Sequence, residues 1–475
     1  MRWAIVAAGV LVAPAALAKT VTVTNGAELG AAISAAQAGD VIELADGTYD
    51  STGYSCNASG TTQTPITVRA KNAHGATVRF DALEGFKVGG DFWHFEGLVV
   101  KGVCANDSNC EHAFHVNGAS GFVLRGSIAV DFNAQLKVNA VLMKLPQGGL
   151  VEGNEIYDSR ARNTSNPTTK LNIDSGDDWI VRGNVLHDFQ KGAGDNVSYG
   201  AFLKCGGLRG IMERNLVMCA RDFSGGTRIG LSLGGGGCAP QFCEPSFNAN
   251  VPCLEHTDGI VRNNIIASCS DVGVYVNQSK NSRVHYNTLI ATSGIDFRFA
   301  MTTGEARGNV LAGTIRNRDG STGMFANNLE SVGQATFDGF YVAPMMGDLR
   351  KKGDLSTLIG KGMTVPVVTD DYCARTRTAP FDLGALQHSL GDCDTKMGSD
   401  AGTGTDGGNG DGGGNGSGDG GGSDGGTGGG NGGGCSCETT PAGSGFGIFG
   451  LLFAGLTTNL WRRASRHLRS PRRLR

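Results

Sequence analysis

Seven short segments of this chain carry polar side chains at alternate positions of an otherwise apolar β pattern. They are VLMKL ending at Leu145, KLNID at Asp174, AFLKC at Cys205, GLSLG at Gly234, VYVNQ at Gln278, DFRFA at Ala300 and TIRNR at Arg318. If Leu and Val point inward, the outward set is Lys144, Asn172 with Asp174, Phe202 with Lys204, Ser232, Tyr275 with Asn277, Asp296 with Arg298, and Arg316 with Arg318. In parallel strands stacked about 4.8 Å apart these residues form one stripe. Amines and guanidiniums in a line, interleaved with aromatic rings, suit an extended polyanion. Asp174, Asp177, Asp178 and Asp195 add carboxylates within reach of a common rung, the oxygen donors a hard cation such as Ca2+ takes.

The elements that must position this stripe repeat. GLVEGNEIYDS from Gly149, WIVRGNVLHDF from Trp179, GIMERNLVMCA from Gly210, GIVRNNIIASC from Gly259, SRVHYNTLIAT from Ser282, GEARGNVLAGT from Gly304 and GMFANNLES from Gly323 are each a short β pattern, an asparagine and a second β pattern. The aligned residues are Asn154, Asn184, Asn215, Asn264, Asn287, Asn309 and Asn328, and the last three gaps are 23, 22 and 19 residues. A period near 22 with variable insertions reads as a solenoid of short strands. Asn at one corner accommodates a left-handed turn, and its amide can hydrogen-bond from rung to rung. Gly97 and Ser127 extend the same spacing upstream.

Four polar insertions fall on the stripe-bearing rungs: Tyr157 to Lys170, His187 to Gly200, Cys219 to Gly230, and Gly234 to Gly259. Loops carried on a rigid scaffold commonly hold function, and these predict walls beside the stripe.

Asn25 to Asp50 reads as a cap: an amphipathic helix over Ala27 to Ala38, a turn at Ala38-Gly39-Asp40, and a strand. That stretch resembles the N-terminal cap of pectate-lyase-like and chondroitinase-B-like right-handed β-helix proteins. RTRTAPFDLGALQH, from Arg375 to His388, is similar to the segment closing many such solenoids. The resemblance implies an all-β fold, a single-stranded right-handed parallel β-helix with an N-terminal helical cap, over residues 19–395. It implies fold more firmly than reaction, because this scaffold hosts several activities.

Lyases of that fold break uronates by β-elimination. A base removes the C5 proton, and Ca2+ or an arginine neutralises the adjacent carboxylate. Carried onto this sequence, the resemblance makes Lys204 the base and Arg228 and Arg298 the neutralising groups. Lys144, Phe202, Tyr275, Asn277 and Arg316 become substrate-binding residues, Asp174, Asp177, Asp178 and Asp195 Ca2+ ligands, and His256 and Asp258 an assisting pair. NID at Asn172 and the Asp177-Asp178 pair resemble polygalacturonase-type glycosidases, but the His-Gly and Arg-x-Lys motifs of that family do not follow. Three readings stay open: a lyase acting on an acidic polysaccharide, a non-catalytic glycan-binding or adhesive protein, and a glycosidase.

Composition sets the compartment and the partners. A formal net charge of −3 over 475 residues gives no basis for a nucleic-acid partner. MRWAIVAAGVLVAPAALA has the charged, apolar and small-residue regions of a signal peptide covering residues 1–18. Eleven cysteines precede a glycine-rich tract, and in an exported chain they should pair, with Cys104–Cys110, Cys373–Cys393 and a bridge within Cys238, Cys243 and Cys253 as local candidates and one thiol left over. Residues 396–434 read as a flexible linker. Residues 435–475, with Cys435-Ser436-Cys437, an apolar run from Phe446 to Trp461 and seven terminal arginines, resemble MYXO-CTERM sorting tails. That resemblance implies cleavage near the cysteines, lipid attachment at Cys435 or Cys437, and a surface-anchored protein that can be released. A monomer is expected.

Overall fold

Each repeat folds into one coil of a right-handed parallel β-helix. The structure, a computed structural model, describes residues 18–142, 144–235 and 254–395. The expected signal peptide (apart from Ala18), the Gly-rich linker and the tail with Cys435 and Cys437 lie outside the described residues, as do Cys238, Cys243 and Cys253.

Three parallel sheets form the faces of the coil. The first has twelve strands, from Thr20–Val23 to Thr322–Ala326. The second has ten, from Gly47–Ser51 to Val310–Leu311, and the third ten, from Tyr54–Cys56 to Thr314–Arg318. The chain visits third, first and second face in turn, so a residue on one strand lies against its counterpart one coil later. Period-2 alternation fills the interior with columns such as Leu136, Leu171, Ala201, Leu231, Val274 and Ile295, all buried. Each large member contributes about 1.5–3 kcal/mol through burial. Nearer the N-terminus the interior is aromatic: Phe86 stacks on Phe114 at 5.2 Å, and both meet Phe95.

The recurring asparagines form an unbroken ladder at the turn from first to second face. Each Nδ2 donates to the next Oδ1 at 2.9–3.0 Å, from Asn154 through Asn184, Asn215, Asn264, Asn287 and Asn309 to Asn328. Each of those Oδ1 atoms also accepts the backbone N–H of the preceding asparagine. The left-handed residue of the turn is not the ladder asparagine but the one before it: Gly153, Gly183, Arg214, Asn263, Tyr286, Gly308 and Asn327 all have φ between 55° and 72°. Upstream, Ser127 takes the ladder place, and its Oγ accepts from Leu98 N at 3.1 Å. Gly97 therefore matches Gly126, not Ser127, and both are left-handed.

The N-terminal cap is present, with its helix at Gly26–Ser34. Asn25 Oδ1 accepts from Glu28 N while Glu28 takes the N–H and hydroxyl of Thr24, a reciprocal cap. The helix stops short of Ala38 because Gln37 to Asp40 is drawn into a turn, with Asp40 accepting from Gln37 N at 2.9 Å.

The C-terminal segment differs from expectation. Arg375 to His388 lies along the outer side of the second face instead of closing an end. Outward Val185, Leu216, Ile265 and Val310 form a second core with Leu355, Leu358, Leu383 and Leu386, joined by a helix at Gln334–Phe340. Buried Arg377 pins the segment by donating to Asn263 Oδ1 and to the Asp370, Gly384 and Ala385 carbonyls, over the Tyr286 ring.

Disulfides join Cys104 to Cys110 and Cys373 to Cys393, as expected, and Cys219 to Cys269, which was not. Cys205 is also disulfide-bonded, and Cys56 is a buried free thiol.

Candidate functional site

The stripe lies on the outer side of the third face. One column carries His115, Lys137, Asn172, Phe202, Ser232, Tyr275, Asp296 and Arg316 on successive strands. Two residues further along, the outward positions hold Asn139, Asp174, Lys204, Asn277, Arg298 and Arg318. Six of the seven expected segments are in the expected register. The exception is VLMKL: that coil's strand is Ala134–Asn139, and residues 140–149 form a long turn where the next coil uses only 175–179. Lys144 sits in that turn and pairs with Asp91 at 2.8 Å, so Lys137 takes its place on the stripe.

The outward side chains of the stripe are more sheltered than a solenoid face need be: Phe202, Tyr275 and Asn277 are each under 8% exposed. Three insertions (158–167, 188–196 and 219–226) wall the edge where the chain enters the third face. The fourth leaves by the opposite edge, and only its ends are described.

At the centre, two lysines converge on one carboxylate. Lys137 Nζ donates to Asn172 Oδ1 at 3.0 Å and pairs with Asp174 Oδ2. Lys204 Nζ lies 4.0 Å from Asp174 Oδ1 and 4.5 Å from the centroid of the Phe202 ring. Beside them is Glu255, buried, whose carboxylate accepts from Cys205 N at 3.3 Å. Burial pushes the Glu255 pKa up to about 6 against the opposing charge of Lys204. Two lysines and a second acid around one sheltered carboxylate make a site suited to an incoming anion.

Other expected residues fall elsewhere. Arg228 is 1% exposed, and its guanidinium is consumed by the Gly225, Cys219 and Phe223 carbonyls and Gln190 Oε1. It braces the 219–226 loop and cannot neutralise a substrate. Arg298 is on the stripe but three rungs from Lys204, about 14 Å; it pairs with Asp319 and reaches Tyr275 OH at 3.4 Å. With Arg316 and Arg318, both bound to Asp296, it forms a second basic patch. His256 is not a catalytic assistant: it is wholly buried against Leu203 and Leu233 columns, and neither ring nitrogen has a hydrogen-bond partner.

The four aspartates do not gather into a cation site. Asp174 is held by Lys137, Asp178 and Asp177 share Arg209, and Asp195 pairs with Lys191 before the strand begins. All four are already paired with a protein cation, Asp177 and Asp178 with the same one, and they do not fit a Ca2+ site. Among the described residues, two other groups bring potential metal ligands within 4.8 Å of one another: Glu84, His112 and His115, and His187, Asp188 and Asp222. In the second, Asp188 already accepts the N–H groups of Arg221, Asp222 and Phe223, the signature of a buried loop anchor.

Lys137 was legible in principle, since AQLKVN at 134–139 has the same alternation as KLNID. Glu255 was not; it reaches Lys204 from fifty residues away through an insertion.

These features define the class, a right-handed parallel β-helix. A family model described as chondroitinase B matches residues 23–136. Among solved structures the chain is similar to the pectate lyase Pel9A at 16% identity, covering 75% of this chain and 90% of that one with a TM-score of 0.53. It is also similar to an alginate lyase from Paenibacillus sp. str. FPU-7 (16% identity, 65% and 97% covered, TM-score 0.36). A third is the GH136 lacto-N-biosidase from Eubacterium ramulus (10% identity, 63% and 63% covered, TM-score 0.38). At these identities the likeness is one of fold. No curated protein matches the chain.

Proposed function

We propose that this protein cleaves an acidic polysaccharide by β-elimination on its third face. The observation that carries the reading is the convergence of Lys137 and Lys204 on Asp174. Lys137 neutralises the uronate carboxylate, which acidifies the neighbouring C5–H. Lys204 is the base that takes that proton. The C5–H electron pair becomes the C4–C5 double bond, the C4–O bond breaks, and the departing oxygen takes a proton from the newly formed ammonium. The chondroitinase B match and the pectate-lyase fold support a uronate as the substrate class. Arg298 and Arg316 hold the polymer several rungs away. Disulfides, among them Cys104–Cys110, Cys219–Cys269 and Cys373–Cys393, support an exported protein, and the proposal puts it at the cell surface as a monomer tethered through its C-terminal tail.

The test is ultraviolet absorbance of unsaturated uronate product on pectate, alginate and glycosaminoglycans, each with and without Ca2+. Lys204→Ala should lower kcat by about 10²- to 10⁴-fold with the fold intact. Tight retention on one glycan with no product would favour the binding protein, and reducing ends without unsaturation the glycosidase. An undiminished rate in Lys204→Ala would remove Lys204 from the mechanism.

A further inference from the structure

We propose that Glu84, His112 and His115 form a binding site for a single transition-metal dication of the Zn2+ type, at the N-terminal end of the same face. Their strands, Glu84–Val88 and His112–Asn117, are neighbours, with His112 opposite Glu84 and His115 opposite Lys87.

The hydrogen bonds around the group fix its chemistry. His115 Nε2 lies 2.7 Å from Asn139 Oδ1. Asn139 Nδ2 faces two acceptors, the Ala140 carbonyl at 3.0 Å and Asn117 Oδ1 at 3.4 Å, so the amide is oriented and His115 Nε2 must be the donor. His115 Nδ1 is then left 2.7 Å from Glu84 Oε1. That 2.7 Å separation is one that a shared cation, a proton or a metal ion, can span. His112 Nδ1 points at the same oxygen from 3.8 Å and is buried with no hydrogen-bond partner. Glu84 Oε2 is held separately by Lys87 Nζ at 2.8 Å, which leaves Oε1 for the cation.

Two imidazole nitrogens and one carboxylate oxygen select a borderline metal over Ca2+ or Mg2+, which prefer all-oxygen shells. Bonds of about 2.0–2.1 Å in a tetrahedral site set ligand separations of about 3.3 Å, and the 2.7 and 3.8 Å contacts to Oε1 straddle that value. Asn139 and Lys87 are the outer partners that orient ligands in such sites. Glu84 and Lys87 border a cleft of about 380 Å³ lined by Tyr54, Ser55, Leu83 and Glu111 among others, which gives solvent access to the carboxylate side of the group. His115 is one strand from Lys137, which sets the metal on the stripe itself.

The experiment is calorimetric titration of the chelator-stripped full chain with Zn2+, and visible spectroscopy with Co2+. Because Cys435 and Cys437 offer soft ligands elsewhere, the readout is the difference between wild type and variants. One equivalent present in wild type should be lost in His112→Ala, His115→Ala and Glu84→Gln. Asn139→Ala should weaken it about 10- to 100-fold, and excess Ca2+ should not displace it. Far-ultraviolet circular dichroism checks that each variant folds, and Glu84→Gln preserves shape should the histidine variants not. Equal stoichiometry in wild type and all three variants, or a charge-only pair showing no metal uptake, would overturn the proposal.

Discussion

Asn264→Ala is the sharpest test of what holds the solenoid together. The side chain sits mid-ladder and is wholly buried. Its Nδ2 donates to Asn287 Oδ1 and to the Met212 and Arg262 carbonyls, and its Oδ1 accepts from Asn215 N and Asn215 Nδ2. Alanine removes all of these. Asn215 Nδ2 keeps the Val181 carbonyl, and Asn287 Oδ1 keeps the Asn264 backbone N–H. The Asn215 backbone N–H is left buried with no acceptor. An orphaned buried donor costs about 1–3 kcal/mol and each lost hydrogen bond about 1 kcal/mol, so the expected loss is about 3–5 kcal/mol. Because each coil touches only its neighbours, the defect should also weaken coupling between the halves it joins. Urea unfolding followed by circular dichroism should show a midpoint about 1 M lower, or a transition that splits. Asn72→Ala is the control: it makes the same deletion at an exposed turn, where Nδ2 donates to Asp46 Oδ2 and less than about 0.5 kcal/mol is expected. If the two variants behave alike, the ladder is a by-product of the fold and not a support for it.

Two further predictions concern buried titratable groups, and they have opposite signs. Burial lowers the His256 pKa to about 3. Its contribution is therefore present above the unfolded value near 6.5 and is lost as pH falls through that value toward 3. His256→Leu, which removes two unpartnered buried nitrogens, should raise the urea midpoint at pH 7 and flatten the fall in stability below about pH 6.5. A lower midpoint would show that the ring nitrogens are satisfied. Glu255 has its pKa raised to about 6, so its contribution is complete below the unfolded value and is lost as pH rises through 6. Glu255→Gln should be nearly neutral at pH 4 and stabilising by about 2 kcal/mol at pH 7.5. A pH-independent difference between the two proteins would contradict the placement of Glu255 in a dry site.

The sequence disclosed what repeats. Inward Leu and Val recur every second residue and the ladder asparagine once per coil, so the alternation named Asp174, Phe202, Lys204, Tyr275, Asn277, Arg298 and Arg316 as outward on one face. It failed where spacing, not alternation, decided. Counting back from Asn154 landed on Lys144 because one turn runs from 140 to 149. It was also blind to what covers an outward position. Arg228 and Lys204 look alike on a strand pattern, yet one is sealed under a loop by four acceptors and the other stands beside a carboxylate. The left-handed corner was assigned one residue late, since the backbone strain falls on the residue before the asparagine whose amide bonds from coil to coil.

The third face gains its character from charge compensation more than from net charge. Asp296 is 2% exposed at its carboxylate and takes both Arg316 and Arg318, while Asp174 takes Lys137 and lies near Lys204. Unpaired cations packed a rung apart would repel and swing into water; an intervening carboxylate keeps them aligned and leaves each ammonium or guanidinium with donors still facing outward. On the proposed function a polymer carboxylate arriving at Lys137 would meet a donor already oriented, and it would have to compete with Asp174 for it. Binding energy at that position depends on how well the incoming anion replaces Asp174, whereas at the Arg298 patch an anion can add to guanidiniums that remain over a third exposed. On the proposed function the two patches would therefore divide the work: the distant arginines would retain the chain, and the sheltered lysines would respond to where its charge is placed.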